Sequence, residues 1–237
     1  MQLSAPIYVL KRKAKIAARG NDIALYQALD NVAVEEGFSS WSHLISSSVN
    51  ENPAREVLSQ LKSGDLALIG ARPGHGKTLL GLELAARASY VRRKGYFFTL
   101  DYHERNVADR LSAIGIRLSS INSALVIDTS DDVSADYIIM KLRTEKEPAF
   151  IVVDYLQLLD QKRTNPSLDD QIKSLRKYVI ETGAICVVIS QIDRSFDLAD
   201  RAMPTIADVR LPNPLDLSAF RKHFFLHDGK IQFDQAA

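Results

Sequence analysis

One stretch in the first third of the chain has the residue types and spacing needed to bind phosphate. An apolar run, Leu66–Gly70, is followed by a loop of small residues, Ala71–Gly76, and then by Lys77 and Thr78. This order predicts a strand, a phosphate-binding loop and a helix N-terminus, whose free N–H groups and positive dipole end attract anions. In this pattern the lysine reaches the β- and γ-phosphates of a nucleotide, and the threonine hydroxyl contacts Mg²⁺.

The loop and the first turn of the following helix supply the predicted nucleotide-binding residues. These are Ala71, Arg72, Pro73, Gly74, His75, Gly76, Lys77, Thr78 and Leu79. Gly74 and Gly76 allow the backbone to curve closely around a phosphate. The strict motif has glycine where this chain has Ala71. The alternative is a glycine-containing turn that binds nothing, and the Gly-Lys-Thr triplet directly after a strand argues against it.

Two later apolar runs also end in polar residues. Asp154 ends Ala149–Asp154, and a carboxylate there fits the acid that holds Mg²⁺ through water or Thr78. The alternative is an exposed acid at a strand end. Gln191 follows the run that ends at Ser190 and could bind the γ-phosphate or a polarised water, although a loop glutamine without a role is the alternative. Ligands of parallel sheets bind beyond the carboxyl ends of the strands, so these residues should converge on the phosphate loop.

Hydrolysis also requires a group that orients the attacking water. Asp101 follows the predicted strand Gly95–Leu100 and is the positional candidate, but it is an equally good N-cap for the next helix. Glu104, one helical turn further on, is the second candidate. His75 and His103 have no predicted partners, and neither belongs to a predicted metal cluster.

From Glu56 onward, apolar runs alternate with helix-like patterns. Strands are predicted at Asp65–Gly70, Gly95–Leu100, Ala124–Ile127, Ala149–Asp154 and Ala184–Ser190. Helices are predicted at Lys77–Arg92, Val133–Arg143 and Gln171–Glu181, and one more through Val107, Leu111 and Ile114. A terminal hairpin is predicted at Phe224–Leu226 with Lys230–Phe233. Unbroken apolar strands followed by helices imply an α/β fold with a mostly parallel central sheet and helices on both faces. We expect this domain to span residues 53–237.

Residues 1–52 are expected to form a small helical appendage and a polar linker. Charge is segregated within them: residues 1–20 contain basic side chains and no acid, whereas residues 21–51 contain acids and no Lys or Arg. The basic residues are Lys11, Arg12, Lys13, Lys15 and Arg19. They could contact phosphates or a neighbouring subunit, or they could form a solvated helix face.

Bulk composition limits the function classes. The chain has 237 residues, of which 46% are hydrophobic and 25% charged, as expected for one ordinary α/β domain with a modest appendage. A net charge of +1 gives no general attraction to nucleic acid, so any such site must be local. The single cysteine, Cys186, lies in an apolar run and indicates a core thiol in a reducing compartment. With neither a membrane span nor a signal peptide apparent, we expect a cytoplasmic protein.

Four segments together resemble the motor domain of DnaB-type replicative DNA helicases, which are RecA-like P-loop ATPases of superfamily 4. They are Gly70–Thr78, Phe98–Tyr102, Ile151–Leu159 and Val188–Ser195. The resemblance covers roughly residues 53–210 and implies a RecA-like ATPase domain that uses ATP and Mg²⁺. It also implies a homo-oligomer, such as a hexameric ring, that holds single-stranded DNA with loops facing its channel.

The resemblance assigns further residues. The channel loops would be Gln161–Ser167, with Lys162 and Arg163 as DNA contacts, and Asp193–Pro214, with Arg194. Together with Glu104, which is chosen by position alone, the predicted catalytic group comprises Asp101, Lys77 and Gln191. Asp101 stands where the family has glutamate, one methylene longer, so water activation should be slower, because a misplacement of about 1 Å can cost about a hundredfold. For the family's arginine finger the nearest candidates are Arg221 and Lys222, whose alternative role is surface charge on an edge strand.

Three functions are therefore compatible with the sequence. The first is a DnaB-like DNA helicase or a helicase-related DNA-dependent ATPase. The second is a RecA-like switch that hydrolyses ATP slowly and regulates a protein partner without unwinding DNA. The third is a nucleotide-binding scaffold without activity, which Lys77, Thr78 and Asp154 argue against, since a scaffold does not require this phosphate chemistry.

Overall fold

The computed structural model describes most of the chain. The described ranges are residues 3–5, 7–21, 23–44, 52–100, 104–114, 116, 121, 123–162, 164–198, 201–211, 213–227 and 229–235. The chain forms two compact units, Met1–Asn52 and Pro53–Ala237. Three residues discussed above, Asp101, His103 and Arg163, lie outside the described ranges.

The larger unit alternates strands and helices. The strands are β1 Leu66–Ala71, β2 Gly95–Thr99, β3 Leu125–Asp128, β4 Phe150–Asp154, β5 Ile185–Gln191, β6 Lys222–His227 and β7 Lys230–Gln235. The helices, numbered along the whole chain, are α1 Ile7–Gly20, α2 Leu25–Glu35, α3 Pro53–Gln60, α4 Lys77–Ala86, α5 Glu104–Ala113, α6 Ala135–Leu142 and α7 Leu168–Thr182. Short 3₁₀ turns include Leu156–Asp160 after β4 and Arg194–Leu198 after β5.

The strands form one sheet in the order β3-β2-β4-β5-β1-β6-β7. Only β6 and β7 pair antiparallel in it, and the other pairings are parallel. One apolar cluster packs α6 and α7 against one face of the sheet, and a second packs α3, α4 and α5 against the other. The predicted α/β fold, with a mostly parallel sheet covered on both faces, is therefore confirmed.

Two glycines hold α4 close to the sheet. A Cβ atom on Gly81 would lie 2.4 Å from Cδ1 of Ile189 and 3.1 Å from Cγ1 of Val152. A Cβ atom on Gly95, the first residue of β2, would lie 2.0 Å from the backbone oxygen of Ala85. Because both positions require a hydrogen in place of a side chain, α4 lies directly on the strands, and its first turn is fixed at their carboxyl ends.

Some predicted boundaries are wrong, and the reasons are local. The helix that begins at Lys77 ends at Ala86, six residues earlier than expected, and a 3₁₀ turn follows. Arg92 then adopts a left-handed conformation (φ 56°), which turns the chain so that β2 can begin at Gly95. Helix α7 begins at Leu168, three residues earlier than expected, because the Ser167 hydroxyl caps it by accepting a hydrogen bond from the Asp170 N–H.

Lys222 does not lie on an edge strand. Its strand, β6, lies between β1 and β7 inside the sheet. The side chain is buried, and its Nζ donates to Oδ2 of Asp65 at 2.6 Å and to the backbone oxygen of Gln60. Neither of the two roles considered for Lys222, surface charge or arginine finger, fits this position, because the ammonium group is engaged inside the fold.

The smaller unit has its own core. Leu10 and Ala14 of α1 pack with Val32 of α2 and with Leu44, all buried. Gly37, with φ 85°, donates its N–H to the Val34 oxygen just after the end of α2. The appendage is therefore helical in its described part.

Two predictions about composition can be compared with the fold. Cys186 is fully buried in β5, and burial raises the pKa of its thiol to about 12, so it is a core thiol as predicted. Among the described residues, no helix is both long enough and apolar enough to cross a membrane.

Candidate functional site

The predicted phosphate loop connects β1 to α4. Gly74 and Gly76 have φ values of 85° and 84°, a left-handed conformation that glycine adopts at little cost. A Cβ atom on either residue would meet no heavy atom within 4 Å, so the backbone conformation, and not crowding, requires glycine here. The same observation shows that the space beside the loop is open. The His75 N–H donates to the Arg72 oxygen at 3.2 Å and closes the turn.

The first turn of α4 presents the remaining predicted phosphate ligands. Lys77 and Thr78 are its first two residues, and both are partly exposed. The Leu80 N–H donates to the Gly76 oxygen at 2.9 Å, so regular helix begins directly at the loop. The N–H groups before Leu80 have no carbonyl four residues back within the helix and point toward the loop, which suits an anion.

Asp154 and Gln191 lie at the same edge of the sheet as the loop. Asp154 ends β4, is 1% exposed, and is opposite Thr99 at the end of β2. Gln191 ends β5 and is paired with Ala71, the last residue of β1. Since β5 lies between β1 and β4, Gln191 is placed between the phosphate loop and Asp154. The structure thus brings together at one edge the residues predicted to bind the nucleotide and its metal ion.

The oxygen donors at this edge fit a magnesium ion whose remaining ligands are phosphate and water oxygens. The Thr78 hydroxyl and the Asp154 carboxylate are hard oxygen donors, and Mg²⁺ is commonly bound by one or two protein oxygens plus phosphates and water. Within the described ranges, no group of three or more His, Cys, Asp or Glu side chains could hold a metal ion. An all-protein metal site is therefore not what the described residues provide.

Arg72 makes contacts that the sequence analysis does not predict. Its Nε and Nη2 donate to the two carboxylate oxygens of Asp197 at 2.8 and 2.5 Å, and its Nη1 donates to the Ile192 oxygen at 3.0 Å. The guanidinium hydrogen bonds lower the pKa of Asp197, and the carboxylate raises the pKa of Arg72. The side chain of Arg72 therefore ties the phosphate loop to the segment after β5. No local sequence signal connects residues so far apart.

His75 also has a partner that the sequence could not name. Its ring stacks on that of His227, at the end of β6, with centroids 4.6 Å apart and planes 11° apart. Phe196 contacts His227 edge-on at 5.2 Å. The 3₁₀ turn that carries Phe196 and Asp197 thus contacts the phosphate loop both directly and through His227.

The residues predicted to contact DNA are less available for binding phosphates than the sequence suggests. Lys162 forms an ion pair with Asp132, and Arg194 is exposed on the 3₁₀ turn. In the loop after β5, Arg201 pairs with Asp208 at 2.6 Å. Arg163 and Asp101 lie outside the described residues, and Glu104 begins α5.

A groove between the two predicted channel loops is acidic. It encloses about 650 Å³. Its lining includes Asp160, Asp169 and Asp216, together with Asn213. Asp169 accepts from the Asp216 N–H at 3.3 Å and pairs with Lys173 at 2.6 Å. A surface with this many carboxylates does not attract nucleic-acid phosphates.

Comparisons with known proteins agree with this architecture. Residues 114–219 match the family described as "DnaB-like helicase C terminal domain". The "Replicative DNA helicase DnaB" of Leifsonia xyli subsp. xyli (strain CTCB07) is 24% identical over an alignment of 196 residues that covers 69% of this chain and 43% of that protein. The chain spans less than half the length of the curated relatives it matches.

Solved structures show the same fold. A solved ATPase domain superposes with a TM-score of 0.60 at 20% identity, over 78% of this chain and 80% of that one. "The Structure Of A DnaB-Like Replicative Helicase And Its Interactions With Primase" gives 0.59 at 19% identity, over 92% and 66%. The predicted RecA-like fold and the resemblance to DnaB-type motor domains are therefore confirmed.

Proposed function

We propose that the unit Pro53–Ala237 binds ATP with Mg²⁺ and hydrolyses it, and that the chain is a DnaB-like DNA helicase or a helicase-related DNA-dependent ATPase. The observation that carries the proposal is the arrangement at the carboxyl edge of the sheet. There, a loop with two left-handed glycines leads into the N-terminus of α4, and a buried carboxylate, Asp154, ends a strand of the same sheet.

Each residue has a distinct proposed role. The loop amides and the Lys77 ammonium bind the β- and γ-phosphates. Thr78 and Asp154 hold Mg²⁺, whose charge offsets that of the phosphates. Gln191 senses the γ-phosphate from the end of β5. Asp101 orients the attacking water, and Glu104 is the second candidate for that role.

The proposed partners follow from the relatives. Single-stranded DNA is the proposed nucleic acid, since the matched curated proteins include two named replicative DNA helicase DnaB. We propose a homo-oligomer, such as a hexameric ring, as its form. Its proposed location is the cytoplasm, in keeping with a single cysteine that burial keeps as a thiol.

Lys77→Ala tests the ATPase site. Loss of the ammonium removes a positive charge that stabilises the transferring phosphate, so we expect hydrolysis to fall at least about a hundredfold and nucleotide binding to weaken. The matched control is Lys146→Ala, which removes an exposed lysine from the same unit and should leave turnover unchanged. Normal hydrolysis by Lys77→Ala would contradict the proposed site.

The nucleic-acid part of the proposal is tested by DNA stimulation. The ATPase rate is measured with and without single-stranded DNA at low and moderate salt, alongside native mass. We expect DNA to increase the rate, and the increase to fade as salt rises. Hydrolysis that DNA does not change even at low salt would instead support the slow ATPase switch.

A further inference from the structure

Helix α1 buries one apolar face and exposes all of its basic residues. Leu10 and Ala14 are buried in the core of the smaller unit, against α2. All five basic residues of the helix are exposed. They are Lys11, Arg12, Lys13, Lys15 and Arg19, and the helix contains no acid. The buried face explains why the helix docks on α2, but packing does not explain the charges.

Only one of these charges has an acidic partner in the described structure. Lys13 donates to Glu35 of α2 at 2.6 Å, and this hydrogen bond raises the pKa of Lys13. Among the described residues, no carboxylate lies within ion-pair distance of the other four, Lys11, Arg12, Lys15 and Arg19. They follow the helix at steps of one, three and four residues, so they form a basic strip about 12 Å long.

The described acids of the same unit are already engaged inside it. Asp30 accepts the Trp41 N–H at 2.8 Å, and Glu35 binds Lys13. Glu36 accepts the Ser4 N–H at 2.6 Å and also the Ser4 hydroxyl. These carboxylates already have partners inside the unit, so a second copy of the unit would offer them to the strip only in competition with those partners. A partner with its own negative charges fits better.

A membrane surface fits this helix less well than nucleic acid. Interfacial helices insert a broad apolar face that includes large side chains. In α1 the apolar residues Leu10 and Ala14 are used in packing, and the exposed large apolar side chains among the described ones are Val9 and Ile16. Two separate side chains do not form an insertion face, whereas a strip of cations fits a chain of phosphates.

We propose that the basic strip of α1, formed by Lys11, Arg12, Lys15 and Arg19, binds the phosphate backbone of single-stranded DNA as a contact outside the ATPase unit. The choice of DNA rests on the proposed function. The strip complements the predicted channel loops, where Lys162 is paired with Asp132 and the groove is acidic. Because its contacts are with phosphates, it contributes affinity and not sequence preference.

The test measures binding of a fluorescent oligothymidylate to the full chain by anisotropy. If the strip neutralises four phosphates, the plot of log affinity against log salt concentration should be steeper by about 2.8 than it is without the strip. This contribution lowers the affinity about 50-fold between about 50 and 200 mM salt. The variant Lys11→Gln, Arg12→Gln, Lys15→Gln, Arg19→Gln should bind at least about tenfold more weakly at low salt and lose this part of the slope.

Two controls separate the strip from general charge. The variant Arg143→Gln, Lys146→Gln, Lys173→Gln, Lys177→Gln changes net charge equally at exposed positions of the larger unit and should retain affinity. Within α1, Arg12→Gln should weaken binding more than Lys13→Gln, since Glu35 already holds Lys13. Equal binding by the strip variant and wild type would overturn the inference, as would equal losses in the strip and control variants.

The remaining outcomes distinguish the sources of failure. Vesicles of phosphatidylserine and phosphatidylcholine should not bind, and strip-dependent binding to them without binding to DNA would overturn the inference in favour of a membrane. Basal ATP hydrolysis by the strip variant should equal that of wild type. If wild type hydrolyses ATP and responds to DNA, but the strip variant binds DNA normally, only the inference fails. If Lys77→Ala hydrolyses ATP normally, the proposed function fails while the strip is unaffected.

Discussion

Several cations of the ATPase unit differ from most of those on α1, because they have acidic partners within the fold. Around the sheet, four basic side chains are held by acids that lie between 7 and 157 residues away in the chain. The pairs are Arg72 with Asp197, Lys162 with Asp132, Arg201 with Asp208 and Lys222 with Asp65. On α1, one lysine has such a partner in the described structure and four basic residues do not. Paired cations are engaged within the chain, whereas a strip of unpaired cations is available to a partner outside it.

The paired cations also differ among themselves in burial. The side chains of Lys222 and Asp65 are 9% and 11% exposed, so water screens their attraction weakly. In the Arg72–Asp197 pair, Asp197 is 52% exposed, and such pairs contribute little to stability. The Lys222–Asp65 pair should therefore contribute to the free energy of unfolding, whereas the Arg72–Asp197 pair should mainly hold the phosphate loop in position.

Lys222→Met should have the largest effect on stability. It leaves the buried carboxylate of Asp65 without its cation, and breaking a buried pair in this way costs about 3 kcal/mol in the free energy of unfolding. Urea denaturation measures the change. Lys230→Met, on the exposed end of β7 in the same hairpin, is the matched control and should change the free energy little. A loss no greater than that of the control would show that the Lys222–Asp65 pair does not stabilise the fold.

Asp197→Asn should have a smaller effect, and on a different quantity. It removes the carboxylate that holds the Arg72 guanidinium, so the phosphate loop loses part of its support. We expect kcat/KM for ATP to fall about tenfold, because small displacements of a reacting group are costly, with little change in stability. Asp132→Asn, which releases Lys162 instead, should leave kcat/KM unchanged. Equal values for the two variants would show that Arg72 does not position the loop.

These contrasts also show what the sequence could and could not predict. The phosphate loop and Asp154 were predictable because their signals are local, an apolar run followed by a short motif or a single acid. The contacts of Arg72 with Asp197 and of His75 with His227 depend on which strands are neighbours, and a hydrophobic pattern does not give strand order. The predicted edge-strand position of Lys222 is wrong for the same reason, since its strand β6 pairs with β1 inside the sheet.

The strip variant of α1 should have the smallest effect on stability, and this is the sharpest test of the contrast. Within the described residues, none of its four side chains has an ion-pair partner, and glutamine has a helix propensity close to those of lysine and arginine. The midpoint of thermal unfolding should therefore stay close to that of wild type, while DNA binding is lost. A large fall in the midpoint would mean that these four cations have partners within the chain. The α1 cations would then resemble the paired cations of the ATPase unit, and the contrast between the two regions would be lost.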